Sequence, residues 1–232
     1  MKKTICKFIA VTCCTIMNLQ AEEIKWDFSK GIKPNAPLEF SLSPQATAEE
    51  GFLYIKDPID RTNRGGLTAA QRYPELTPKG AFRMTFVFSL GKARSSQYFL
   101  MLWDSKGDYF DKKNGKAIDN SGFTIAIFRP GNSKTMAVHA WLGFGSRTAA
   151  IQGKRVPFAE EKKYTLDVDY DGSGKYAFYL DGTQIGNGTI PGGGAIAPAF
   201  YKPVIGNRAV GSFFPFDGKI YSVKMVKNEE VK

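Results

Sequence analysis

Histidine occurs once in the 232 residues, at His139, and cysteine only at Cys6, Cys13 and Cys14. One histidine excludes a multi-histidine metal centre. The lack of any cysteine beyond Cys14 excludes a zinc cluster or a disulfide framework in the body of the chain. No long stretch carries the period of an amphipathic helix. The longest apolar run, Phe8 to Leu19, is too short to span a bilayer, so an integral membrane protein is not expected. No run of Lys and Arg exceeds two residues and the net charge of +10 is spread along the chain, which argues against nucleic acid as a partner.

The apolar run belongs to an N-terminal leader. Lys2, Lys3 and Lys7 form a basic start, Phe8 to Leu19 the apolar centre, and Leu19-Gln20-Ala21 offers a small residue at a cleavage point before Glu22-Glu23. The expectation is a signal peptide over 1–21 and a single mature domain over 22–232, exported to the bacterial periplasm, the cell surface or the medium. Cleavage before Cys13 or Cys14 to give a lipoprotein is a weaker fit, because Val11-Thr12 suits lipid attachment poorly. The leader holds three lysines and no acid, so the mature chain carries +7 and no cysteine. A chain of that length can fold on its core alone. An exported animal domain would more often carry disulfides, which favours a bacterial source.

Twenty-four glycines and twelve prolines supply turns, and the residues between them alternate. Phe82, Met84, Phe86, Phe88 and Leu90 share one face of an extended run. Gln97 to Trp103 is apolar on both faces and predicts a central strand. Phe123, Ile125 and Ile127 face one way and Thr124, Ala126 and Phe128 the other. After a hairpin loop at Arg129 to Lys134, Met136, Val138 and Ala140 oppose Ala137, His139 and Trp141. Further strands are expected at Tyr164–Tyr170, Lys175–Asp181, Thr183–Ile190 and Gly218–Val226, with turns at Asp171 to Gly174 and at Asp181-Gly182. Before residue 80 the pattern supports only an opening strand at Gly51–Ile55. Two long loops remain, 56–80 and 104–121, and Pro191 to Gly194 reads as a flexible loop. The expected fold is all-β, an antiparallel jelly-roll β-sandwich.

Tyr164-x-Leu166-x-Val168-x-Tyr170-Asp171-Gly172, followed by Tyr176-x-Phe178-Tyr179-Leu180-Asp181-Gly182, resembles the strand–turn–strand signature of laminin-G-like domains. These belong to the concanavalin A-like lectin and glucanase group. Phe216-x-Gly218-x-Ile220-x-x-Val223-x-Met225 is similar to the closing strand of that family, with a β-bulge where Ile220 to Val223 breaks alternation. Ile205-Gly206-Asn207 matches the end of the strand before it. The resemblance covers Phe82 to the end of the chain. It implies the sandwich but no particular activity.

The Glu-x-Asp-x-x-Glu pattern of the related glucanases is absent. Asp167 and Asp169 share one strand face and are the remaining carboxylate pair for glycan hydrolysis. Their neighbours Leu166 and Val168 face the core, so a solvated outer face explains them as well. Asp169-x-Asp171-Gly172-x-Gly174 has the opening of a calcium loop, but Leu180 stands where the bidentate Glu belongs. Asp104, Asp108, Asp111 and Asp119 supply oxygen ligands of the kind Ca2+ takes.

The richest surface is the face opposite Ile125 and Val138. There, small residues (Ala126, Ala137) lie beside Trp103, His139 and Trp141, with Arg83 and Arg129 at the edges. Sugars stack their apolar faces on such aromatics, and cations at the rim suit anionic glycans. These five are the candidate ligand-binding residues. A long loop folded over the same face would make them a second small core instead. The function expected is a non-catalytic binding module for carbohydrate or a cell-surface partner. The alternatives are a glycan-cleaving hydrolase or lyase and a structural or adhesive envelope protein.

Overall fold

Where large apolar residues alternate with polar ones, the chain is extended and pairs with antiparallel neighbours. The computed structural model describes residues 21–48, 50–58, 60, 62, 64–92, 99–106, 120–210 and 215–228. Its early strands are β1 (Glu22–Asp27), β2 (Phe40–Leu42), β3 (Ala46–Thr47), β4 (Leu53–Ile55) and β5 (Leu67–Ala69). The longer central ones are β6 (Ala81–Leu90), β7 (Phe99–Asp104), β8 (Phe123–Phe128), β9 (Thr135–Gly143), β10 (Thr148–Gln152) and β11 (Val156–Pro157). The last are β12 (Lys163–Tyr170), β13 (Lys175–Leu180), β14 (Thr183–Thr189), β15 (Val204–Ile205) and β16 (Gly218–Asn228).

Two eight-stranded antiparallel sheets result. The first, sheet A, runs β14-β13-β12-β6-β16-β4-β3, with β1 on the later half of β16. The second, sheet B, runs β10-β9-β8-β7-β15-β5-β2, with β11 on the opening residues of β9. Their inner faces form one apolar core. Sheet A contributes Met84, Phe86, Phe88, Leu166 and Val168, and sheet B contributes Ile125, Ile127, Met136, Val138 and Ala140. The bulge expected in the closing strand is present, as a register shift between Ile220 and Ser222 where β16 pairs β6.

The first 80 residues differ from expectation. The opening strand is β1, whose Ile24 and Trp26 are buried, and the stretch around 51–55 supplies only the fourth strand. The supposed loop 56–80 holds β5 and a short 3-10 turn at Pro74–Leu76. β1 is six residues long and alternates, but the other strands here have only two or three residues and leave no period to read. Trp26 meets Phe40 at 5.2 Å and Trp103 at 5.9 Å between ring centroids, so this irregular start closes one end of the core. The Pro191–Gly194 segment is also tied down: the Tyr170 hydroxyl donates to the Gly194 carbonyl at 2.6 Å.

Candidate functional site

The central strands of sheet B carry large rings outward as well as inward. On the outer face Phe128 of β8 lies across from Ala137 of β9, and Ala126 across from His139. Phe99 of β7 lies across from Phe128. Small residues between large ones let the rings close up over them, and Ala126 and Ala137 are buried. Phe99, Phe128, His139 and Trp141 are each half-buried. Their centroids stand 5.0 Å apart for Phe99–Phe128, 5.3 Å for Phe99–His139, 5.3 Å for Phe99–Trp141 and 5.7 Å for His139–Trp141. The result is a four-ring platform on the outside of the sandwich whose rings are not coplanar, since Phe99 stands at 81° to His139 and at 69° to Trp141. The Arg155 guanidinium, just ahead of β11, lies over the Phe128 ring at 5.6 Å. Burial, and then the nearby Arg155 charge, push the His139 pKa down from 6.5 to about 4. The imidazole is therefore neutral at ordinary pH.

Of the five expected residues, the structure brings only His139 and Trp141 together. Trp103 belongs to the core. Met101 of β7 pairs with Ala126, yet Trp103 pairs with the adjacent Ile125, so the chain gains a residue at Leu102. The bulge reverses the alternation expected from Gln97 to Trp103. Trp103 is fully buried and stacks on Phe123 at 5.7 Å, on the inner side. Arg129 continues the Ile127 face inward and is fully buried. Its Nη2 donates to Asp217 Oδ2 at 2.9 Å and its Nη1 to the Gly91 carbonyl at 2.9 Å. It bridges the end of sheet B to two segments flanking sheet A strands. Arg83 lies on the outer face of sheet A, away from the platform, where its Nε and Nη2 donate to the two oxygens of Asp169 at 2.5 and 2.6 Å. The residues missed by sequence reasoning are Phe99 and Arg155. Phe99 had a signal, since it alternates with Met101 toward the outside.

Sheet A's outer face holds a groove of about 540 Å³ lined by Arg83, Asp169, Asp171, Lys175, Tyr176 and Lys224 among others. Its carboxylates are already engaged. Asp169 holds Arg83, and Asp167, on the same strand but outside the groove, accepts from the Thr85 hydroxyl at 2.6 Å. Asp171 accepts from the backbone N–H groups of Ser173, Gly174 and Lys175 at 2.8, 2.9 and 2.9 Å, which makes it the pivot of the β12–β13 turn. The calcium-loop reading of 169–174 therefore gives way to a turn whose carboxylate faces donors. Asp104 is buried, accepting from the Thr124 hydroxyl at 2.6 Å and the Ala209 N–H at 2.7 Å. Asp108, Asp111 and Asp119 lie outside the described residues. Among the described residues no three His, Cys, Asp or Glu gather to hold a metal ion, and no helix is long and apolar enough to cross a membrane.

Solved structures share this fold. The binding domain of botulinum neurotoxin DC in complex with SialylT is 12% identical, with 88% of this chain and 46% of that chain covered and a TM-score of 0.51. The receptor binding domain of the C/D mosaic serotype is 7% identical over 90% of this chain and 48% of that one, with a TM-score of 0.57. The serotype G binding domain is 10% identical over 90% and 48%, with a TM-score of 0.54. The chain thus spans about half the length of these domains, and at such identity the likeness shows the β-sandwich alone. No family model matches the sequence, and no curated protein does.

Proposed function

We propose that this chain is an exported, non-catalytic glycan-binding module built on a laminin-G-like, concanavalin A-like sandwich. The observation that carries the reading is the platform of Phe99, Phe128, His139 and Trp141, four half-buried rings facing outward from a sheet whose other face already makes the core. Rings left partly open to water cost apolar exposure, and a contiguous outward patch of them marks a binding surface. Sugars suit such a patch, because C–H faces stack on rings while hydroxyls reach polar neighbours. Export is supported by the leader, and β1 begins at Glu22, one residue after the proposed cleavage point. The fold's occurrence in neurotoxin binding domains, one of them in complex with SialylT, fits a binding role. Hydrolysis is disfavoured because Asp167 and Asp169 are held by Thr85 and Arg83.

The test is a glycan array probed with the full chain and with Trp141→Ala. The expected outcome is retention on specific glycans, no release of reducing ends, and loss of retention in the variant. Reducing-end release abolished by Asp167→Asn or Asp169→Asn would replace binding with hydrolysis.

A further inference from the structure

We infer that the glycan taken by the platform is anionic, a sugar bearing carboxylate or sulfate, and that Arg155 binds its charged group. The inference rests on the platform being the glycan site.

From Ser121 to Ala159 the sequence contains no Asp or Glu, while it contains Arg129, Lys134, Arg147, Lys154 and Arg155. This segment is β8 to β11, the half of sheet B that carries three of the four platform rings and the outer edge beside them. Arg129 is spent inside the sandwich on Asp217. Arg147 donates to the Pro191 carbonyl and lies over Phe144 at 5.7 Å. Lys154 and Arg155 are exposed. Sheet A pairs three of its outer cations with carboxylates, Arg83 with Asp169, Lys25 with Asp27 at 3.5 Å and Lys224 with Glu23 at 3.9 Å, while Lys163 rests on the Tyr221 ring at 4.0 Å. Among the described residues, Arg155 has no carboxylate partner. It has an aromatic one instead.

A guanidinium lying on a ring keeps its N–H edge free, and that edge fits the paired oxygens of a carboxylate or sulfate. Because Phe128 belongs to the platform, an anion held by Arg155 would sit at the rim of a sugar stacked on the rings. A neutral sugar can take single hydrogen bonds from this edge but lacks the charge attraction and the paired acceptor geometry.

The experiment pairs probes that differ only in charge: hexagalacturonate with its methyl ester, and a carrageenan hexasaccharide with its desulfated form. Each is titrated into the full chain, Arg155→Gln and Trp141→Ala by calorimetry. One charge-assisted pair at a partly exposed rim is worth about tenfold in affinity. We expect wild type to bind at least one acidic probe about tenfold tighter than its neutral twin. Arg155→Gln should lose that preference, and Trp141→Ala should bind neither. The pair whose preference disappears identifies carboxylate or sulfate. Equal binding of charged and neutral twins, or a preference that survives in Arg155→Gln, overturns the inference and leaves the platform reading standing. No binding of any probe by wild type overturns both.

Discussion

Arg129→Met should unfold the protein more readily while leaving nothing to do with ligand. The guanidinium is fully buried, 2.9 Å from Asp217 Oδ2 and 2.9 Å from the Gly91 carbonyl, and it lies 5.8 Å from the Phe158 ring centroid. The Asp217 side chain is only 4% exposed. Methionine fills much of the same volume but leaves that carboxylate in the core without its cation. Removing one partner of a buried pair costs about 3–5 kcal/mol. In a domain of this size each kcal/mol moves Tm by about 2–4 °C, so the melting temperature should fall by about 6–20 °C. The decisive comparison is Arg129→Met with Asp217→Leu. Removing both charges from a buried pair is often close to neutral, so the double variant should recover more than half of the loss. Urea and thermal unfolding of the three proteins, followed by circular dichroism, measure it. A loss under about 1 kcal/mol in the single variant, or a double variant as unstable as the single, would refute the reasoning, since either result means that the pair is not desolvated as its geometry requires.

The two tryptophans of sheet B should behave oppositely. Trp103→Ala empties a filled core site and should cost about 3–5 kcal/mol, whereas Trp141→Ala should lower Tm less than half as much and abolish glycan retention. Thermal melts beside an array settle the contrast. His139 gives a pH signature. Its folded pKa, about 4, lies below its ordinary 6.5, so between these values the unfolded chain binds more protons. Stability should be complete above about pH 6.5 and decline as the pH falls toward 4, and His139→Gln should flatten that slope in urea titrations. Arg155→Gln should move the His139 titration, read by NMR, back toward 6.5, because the nearby cation is the second cause of the shift. An unmoved titration would separate Arg155 from the platform.

The long strands were legible in the sequence because each buries a whole face. β6, β8, β9, β12 and β16 alternate over six or more residues, enough for a period-two pattern to stand out from composition. Of the short strands, β4 falls within the expected 51–55 stretch, whereas β2, β3, β5, β11 and β15 were not legible. At two or three residues each, they are held by pairing to neighbours far away in sequence, such as Ile205 with Leu67 and with Trp103. No local pattern records such a contact.

The site was half legible, and the errors have one cause. Alternation assigns faces only while register holds, and it says nothing about which sheet a strand joins. One extra residue at Leu102 turned Trp103 inward, although every residue around it obeys the pattern. Alternation sets both Arg83 and His139 on outward positions of central strands, but β6 and β9 belong to different sheets. The same ambiguity hid the charge segregation. Counted along the chain, cations and acids intermingle and the surplus looks diffuse. Sorted by sheet, the acids of the outer faces gather on sheet A, where Asp169 and Asp27 pair with cations on the same sheet, and β8 to β11 have none. A cation paired across strands contributes to its own sheet and has little left for a ligand. A cation resting on a ring, with no acid in its own stretch of chain, keeps its field directed at solvent. That difference favours the proposed binding surface on sheet B over the groove of sheet A, although the groove also carries an arginine.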